Sequence, residues 1–556
     1  YGAIGVASAT RQPLDYFAAG RRVPAIIAGL ALAITALGGT GLVSLTGAFF
    51  VSGFDALAIT IGGLAGFVLM AILLAPFLRK FGAYSVPTFL GRRFESRLIR
   101  LVSALLLAVP MLLLIVAELK IVSAIGSWLT STPQPLLIVI FSGIALVTVV
   151  LGGMRGLSWS NAAQAITVLF AFLVPAAMVA VIVTKLPIPQ LSYGPIVRSL
   201  LKQESALSLP SVAAQPFAFS LPDAGFATIA KPFATPFGAI GPAAFVITMV
   251  IVMTGLAAAP WLLPRVSTTP GVHETRKSLG WATFVFGVLV LTMTSVAAFL
   301  RAPLMEFVLA SKPGQLPDWI TVLQTYGLVE IQADTTRMTL GSIAFARDGV
   351  FLALPIATGL PSAFVYLAAA SAIAAALASI GAAAVALGNV ISEDIINGFS
   401  WEPRSDTVRL TLARTMLAVG LGGGMVLALA LPADPLKLLL WAITITGATA
   451  FPTLVLSIWW KRINGFGALA GMLAGFTIAT VAISASAVGL IGVADIVAAG
   501  VALPVGTIAA LLVSALTPAP SRHALELVRD IRVPGGQILY DREMQRLRLK
   551  QRRSAT

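Results

Sequence analysis

Long uninterrupted apolar runs decide what this chain can become. The run from Gly29 to Gly47, GLALAITALGGTGLVSLTG, contains no charged residue, and comparable runs recur to within 40 residues of the C-terminus. About 20 such residues cross the hydrocarbon core of a bilayer as one helix. Charged or Pro/Gly-rich breaks divide the runs into twelve candidate spans: 24–50, 54–78, 98–129, 134–153, 158–184, 239–264, 279–301, 361–392, 408–432, 435–460, 465–488 and 497–517. The runs are continuous and lack the period-two alternation of a membrane β-barrel. Only 11% of residues are charged and 58% are hydrophobic, whereas soluble chains carry about 25% charge. This excludes a soluble globular enzyme, a disordered chain and a disulfide-rich module. With no Cys in the sequence, thiol catalysis, thiolate zinc sites and disulfides are excluded as well. The two histidines, His273 and His523, leave little room for an imidazole metal site.

The formal charge of +15 is a topology signal rather than a nucleic-acid footprint, because Lys and Arg concentrate in cytoplasmic loops. If residues 1–23 are cytoplasmic, with Arg11, Arg21 and Arg22, the same side receives Arg79, Lys80, Arg92, Arg93 and Arg97. Arg155 follows, then Arg265, Arg276 and Lys277, then Arg404 and Arg409, then Lys461 and Arg462. The tail 519–556, with nine basic residues, also falls inside. The short outside loops near 130–134 and 433–437 hold one Lys between them. The expectation is a multi-pass protein of a bacterial-type cytoplasmic (inner) membrane with both termini cytoplasmic. Arg542, Arg546, Arg548, Lys550, Arg552 and Arg553 could meet anionic lipid at roughly 1 kcal/mol per charge, or form a plain solvated tail.

Two spans are interrupted. Gly38 and Gly39 sit mid-way in the first, beside Thr35 and Thr40; the sixth carries Met253-Thr254-Gly255, then Pro260 and Pro264. Glycine pairs weaken a helix, and freed carbonyls inside a bilayer must line a protein cavity. Interrupted helices at corresponding positions of two halves point to a transporter's central site; the alternative is that these glycines only let helices pack closely.

Several segments now become recognisable. They are Asp15-Tyr16-Phe17-Ala18-Ala19-Gly20-Arg21; Ala75-Pro76-Phe77-Leu78-Arg79-Lys80-Phe81-Gly82 with Tyr84-Ser85-Val86-Pro87; and Gly153-Met154-Arg155-Gly156-Leu157-Ser158-Trp159-Ser160-Asn161. RVSTTPGVHETRKS from Arg265 to Ser278, Asp348-Gly349-Val350, Ala353-Leu354-Pro355, Ser392-Glu393-Asp394 and the stretch from Phe451-Pro452 to Lys461-Arg462 follow in order. In these segments the chain resembles the sodium:solute symporter family, nearest its acetate-permease-like monocarboxylate branch.

The resemblance implies an all-α polytopic membrane protein with the leucine-transporter-type 5+5 inverted-repeat fold. The expected parts are an N-terminal segment 1–23, a first repeat 24–184, an external loop 185–238, a second repeat 239–460 with external segment 302–360, two peripheral helices in 461–518 and the basic tail. Family members usually have a further helix before this core, and Tyr1–Ala9 stands where it would end. The resemblance also implies a Na⁺ site between the first and eighth core helices. It carries over to the carbonyls of Ile34 and Leu37 and to Ala375, Ala378 and Ser379. Oxygen ligands suit a hard cation, but Ala378 stands where the family has a hydroxyl, so one oxygen is missing. Ser379 on an Ala-rich helix could equally be a packing residue. Thr35 stands where the branch has Asp, Gly38 and Gly41 where it has Ser, Leu256 for Thr, Trp261 for His, and Asn161 where some members have Asp.

One departure adds charge. Glu118 lies mid-span in Ala117-Glu118-Leu119-Lys120, where the branch tends to have Gln. A carboxyl at that depth is costly and usually faces a cavity. Burial favours its neutral form, which suits a proton carrier, although a structural interhelical hydrogen bond would also explain it. Lys120, two residues on, faces elsewhere and is placed to snorkel or to meet an anionic solute group.

The expectation is a secondary active transporter, a Na⁺-coupled symporter of a small organic solute such as a monocarboxylate, with no cofactor beyond Na⁺ or H⁺. The solute would contact Thr35, Gly38, Gly39, Thr40, Glu118, Asn161, Thr254 and Gly255. The alternatives are proton coupling through Glu118, or a non-transporting sensor or accessory subunit on the same fold. The expected partners are a small molecule, the lipid bilayer and, as an open possibility, a small membrane subunit, with no nucleic acid. An enzyme is disfavoured: the only Gly-rich run, GLGGG from Gly420 to Gly424, lies within a span and follows no strand, so it fails the context of a phosphate loop.

Overall fold

The computed structural model describes residues 1–210, 212–310, 316–331, 339–399, 405–533 and 538–542. Arg404, Arg546, Arg548, Lys550, Arg552 and Arg553 lie outside the described residues. The membrane-crossing helices, numbered in chain order, begin with α1 (Ala25–Ser52). Next is α2, which runs from Leu57–Leu69 through the π-turn Met70–Leu74 into Ala75–Phe81. Then come α3 (Arg97–Thr130), α4 (Gln134–Val149) and α5 (Gly153–Thr184). After the segment 185–241 follow α6 (Pro242–Ala257), α7 (Val272–Ala310), α8 (Ala363–Asn389) and α9 (Asp406–Ala430). The last three are α10 (Pro435–Thr449, continued by Phe451–Trp459), α11 (Gly465–Ala487) and α12 (Ala502–Leu516).

Four of these helices start where a side chain can satisfy their first amides. Ser96 accepts from Ile99 N–H at α3, Ser405 from Val408 N–H at α9, Asp434 from Leu436 N–H at α10 and Asn464 from Gly467 N–H at α11. Because lipid gives no hydrophobic reward for helix association, small residues bring backbones close instead. Gly62 and Gly66 of α2 meet Met249 and Met253 of α6, and Gly471 of α11 meets Ala510 of α12.

The packing carries an internal symmetry. α1 packs on α7, and its counterpart α6 packs on α2. Likewise α1 meets α5 and α6 meets α10, while α3 meets α10 and α8 meets α5. Shifting each number by five exchanges the members of every pair, which is the signature of two five-helix repeats. The helices α11 and α12 pack mainly on each other, at the side of α10.

Two segments read from sequence as loops carry structure of their own. The segment after α5 contains a helix, Pro189–Ala206. Strands β1 (Phe226–Ala227), β2 (Val329–Ile331) and β3 (Ile343–Ala346) form an antiparallel sheet in the order β1-β3-β2. This sheet joins the segment before α6 to the one before α8. The hydrophobic pattern could not reveal strands of two to four residues.

Apart from Glu118 and Lys120 within α3, the charged side chains among the described residues gather at the two ends of the bundle. At one end Asp394 accepts from Ser85 Oγ, Thr88 Oγ1 (2.6 Å) and Arg100 Nε (2.7 Å), and Arg409 pairs with Glu393 at 2.7 Å. Arg79 donates to the carbonyls of Thr269 and Pro270. Several arginines that sequence assigns to the inside loops are therefore buried structural donors. At the other end Arg301 lies 2.9 Å from Glu204 and donates to Phe50 O. Asp55 accepts from Lys231 Nζ at 2.7 Å and from the amides of Phe237 and Ile240. Burial lowers the Lys231 pKa, with Asp55 opposing the shift.

Arg347 is wholly buried and binds both oxygens of Asp348 (2.8 and 3.1 Å) and of Asp434 (2.8 and 2.9 Å). It clamps the segment before α8 onto the N-cap of α10. Removing one partner of such a group leaves uncompensated buried charge. Arg347→Met should therefore lower unfolding stability by about 3–5 kcal/mol, read as a shifted thermal midpoint of the purified protein. An unchanged midpoint would mean the clamp is not structural.

Candidate functional site

Gly38 breaks α1. Its φ of +65° and ψ of 178° lie where a side chain is strained and glycine is not. The break ends one half-helix near Leu37 and starts another at Gly39. Carbonyls of the first half and amides of the second thus lose their helical partners. In hydrocarbon each unmet group costs several kcal/mol, so the neighbouring helices must answer them.

Two helices do so, and a third braces the cluster. From α3, Oε2 of Glu118 accepts from the amides of Gly39 (2.8 Å) and Thr40 (3.2 Å). The carboxylate thereby caps the positive end of the second half-helix. From α8, Ser379 Oγ donates to the carbonyl of Thr35 at 2.8 Å. From α5, Asn161 Nδ2 donates to Thr35 Oγ1 (2.9 Å) and to the carbonyl of Ala378 (3.0 Å), and Thr35 Oγ1 donates to Ala31 O. Thr35, Thr40, Glu118, Asn161 and Ser379 are all buried.

Two groups in this cluster are unanswered among the described residues, Oε1 of Glu118 and the hydroxyl of Thr40. Oε1 of Glu118 is buried and has no hydrogen-bond partner among the described residues. A Cβ built on Gly38 would overlap this oxygen and lie 2.9 Å from Ser379 Oγ. The carboxylate oxygen and the hydroxyl therefore face the same bare Cα. The donor set here consists of a carboxylate oxygen, a hydroxyl and backbone carbonyls, which is the chemistry a hard cation takes. Among the described residues no group of three or more His, Cys, Asp or Glu could hold a metal ion.

The residues expected from sequence divide into two places. Thr35, Gly38, Gly39, Thr40, Glu118, Asn161, Ala378 and Ser379 come together at the α1 break. Ile34 and Leu37 are buried beside it, and Ala375 lies buried one turn before Ser379. Thr254 and Gly255 close onto α10 instead: Thr254 Oγ1 donates to Val250 O at 2.9 Å, and a Cβ at Gly447 would lie 3.0 Å from both Thr254 Oγ1 and Gly255 N. The helix after Ala257 resumes only as a 3₁₀ turn at Leu263–Thr268. The α6 break thus leans on α10 as the α1 break leans on α5, in keeping with the repeat.

Sequence reasoning passed over α10. Thr446, Thr449 and Thr453 are buried there with hydroxyls that have no partner among the described residues, as are the hydroxyls of Thr40 and Ser44. The signal was present as the Thr-rich stretch ITITGATAFPT, Ile443 to Thr453. Side-chain hydroxyls in a span usually bond their own helix, so composition alone does not single them out.

Gly38→Ala forces a left-handed backbone on a residue that resists it, at about 1–2 kcal/mol, and drives a methyl into Glu118. At Gly41 a Cβ would meet only the Leu37 side chain, at 3.1 Å, on ordinary helical backbone. Gly38→Ala should therefore lower the thermal midpoint well below that of Gly41→Ala. Equal midpoints would overturn the assignment of the break to Gly38.

Comparison with known proteins identifies the family and the fold. The sodium:solute symporter family model matches residues 16–475. An uncharacterised symporter of Cupriavidus necator is 28% identical over 93% of this chain and 90% of its own. A monocarboxylic acid transporter of Corynebacterium glutamicum is 24% identical over 85% of this chain and 78% of its own. Among solved structures, a Na⁺-coupled sialic acid symporter superposes with a TM-score of 0.69 at 17% identity, covering 93% of this chain and 96% of that one. That likeness shows the leucine-transporter-type fold. The chain is a multi-pass membrane protein that belongs to the sodium:solute symporter family.

Proposed function

We propose that this chain couples Na⁺ entry to uptake of a small monocarboxylate by alternating access. The observation that carries the reading is the sealed break at Gly38. Ion-type oxygens from α1 and α8 meet solute-type amide donors from the second half of α1 within one buried cluster. Na⁺ would draw on the carbonyls of Ile34 and Leu37, on Ala375 and Ala378, and on Ser379 Oγ. The solute would lie along Thr35, Gly38, Gly39 and Thr40, with Asn161 and Glu118 beside it and Thr254 and Gly255 on the facing α6 break. Its carboxylate would take over the Gly39 and Thr40 amides from Glu118, so that filling the site displaces an internal anion. Support for the monocarboxylate class comes from the named Corynebacterium relative.

The moving parts would be the two repeats, near 24–184 and 239–460, with 461–518 as peripheral helices. The basic end, with both termini, would face the cytoplasm, in a bacterial-type inner membrane, as the Lys/Arg rule requires. The unpartnered Oε1 of Glu118 favours one second reading, in which a proton on that oxygen is the coupling ion.

Purified protein in liposomes tests both. An inward Na⁺ gradient should accumulate labelled acetate or a small homologue, and Ser379→Ala should raise the Na⁺ concentration needed for half-maximal uptake by roughly tenfold. Uptake driven by a proton gradient without Na⁺ would select the second reading. Solute binding without accumulation under any gradient would overturn both and leave a sensor.

A further inference from the structure

The carboxylate of Glu118 is used unevenly. Oε2 receives two amide protons, while Oε1, buried beside it, receives none among the described residues. Burying half of a charged group without a partner is expensive.

We infer that Glu118 is a direct ligand of the coupling cation, which sits against the bare Cα of Gly38 between Oε1 of Glu118 and Oγ of Ser379. This rests on the Na⁺-coupled reading above and places the ion differently within it. Three observations carry it. First, Oε1 and the Ser379 hydroxyl both approach Gly38, the former overlapping and the latter 2.9 Å from where a Cβ would stand, and only the missing side chain lets both oxygens come so close to one Cα. Second, the α5 side of the cluster is already served: Asn161 Nδ2 spends its protons on Ala378 O and Thr35 Oγ1, oxygens a cation placed there would need. Third, Ser379 directs its proton to Thr35 O, so the lone pairs of its oxygen remain for a cation. The ion is thereby shifted from α5 towards α3, and the carboxylate replaces the oxygen that Ala378 does not provide.

The charge balance selects the ion. One carboxylate with neutral oxygens is neutralised by a monovalent cation, and ligand charge is what sets affinity in oxygen sites. Binding would also tie α3 to α8 across the α1 break. An ion that draws the Glu118 carboxylate towards Ser379 would loosen its hold on the Gly39 and Thr40 amides and free them for the solute.

The test reads Na⁺ binding directly, in the absence of solute, with ²²Na⁺ and the full-length protein in nanodiscs. Glu118→Gln keeps an oxygen for the Gly39 and Thr40 amides while removing the charge. It should weaken Na⁺ binding at least about tenfold, and Glu118→Asp should recover part of the loss. Asn161→Ala should weaken binding less than Glu118→Gln. Ser379→Ala, which leaves Glu118 untouched, should also weaken binding and guards against a Gln variant that misfolds. Wild-type Na⁺ affinity in a folded Glu118→Gln protein overturns this inference and leaves the Na⁺-coupled reading standing. No Na⁺ binding by the wild-type protein overturns both.

Discussion

Breaking a helix inside hydrocarbon is the constraint on which the rest of this molecule depends. At Gly38 the chain gives up backbone hydrogen bonds where no water can replace them. The break survives because α3, α5 and α8 each deliver one polar side chain to it. Glu118 answers the amides, Ser379 the Thr35 carbonyl, and Asn161 the Thr35 hydroxyl and the Ala378 carbonyl. The polar residues that hold the fold together at this point are the ones that would bind ion and solute in the proposed function. Stability and function therefore share the same atoms, and a change of ligand state there is a change in what holds α1 in place.

The ends of the bundle obey a different rule. There the arginines are locked by bidentate carboxylates or backbone carbonyls, as with Arg347 on Asp348 and Asp434 and Arg79 on Thr269 and Pro270. These clamps join segments far apart in sequence: the stretch before α8 to the start of α10, and the end of α2 to the turn after α6. A transporter that rocks one bundle against another needs ends that are fixed within each body, and the membrane interior supplies no such cross-links. The charge that composition shows to be scarce is concentrated where it can tie elements together.

Much of the architecture was legible because hydrophobic runs and helix length report directly on bilayer thickness. Twelve spans could be read from apolar runs, with only the ends displaced; α7 extends to Val272–Ala310 where the sequence suggests 279–301. The three-stranded sheet was not legible, since its strands are shorter than any periodicity and β1 pairs with β3 across more than 100 residues, as Phe226 does with Ala346. Within the site, Gly38, Thr35 and Glu118 announced themselves as exceptions to the surrounding apolar pattern. Thr446, Thr449 and Thr453 did not, because a threonine inside a helix looks the same whether it faces a neighbour or a pathway.

The sequence by itself determined that this chain crosses a membrane many times, that its first and sixth spans are interrupted and that a carboxyl group lies within the third. It could not determine what that carboxyl meets. Glu118 stands 79 residues from Gly39, and no local rule relates them. Only the folding of α3 across α1, with α5 and α8 behind, decided that one oxygen of Glu118 caps the broken helix while the other lies against Gly38. The physical reason is that the break must be satisfied from outside its own helix, and the satisfying groups are chosen by packing, which has no expression in local sequence.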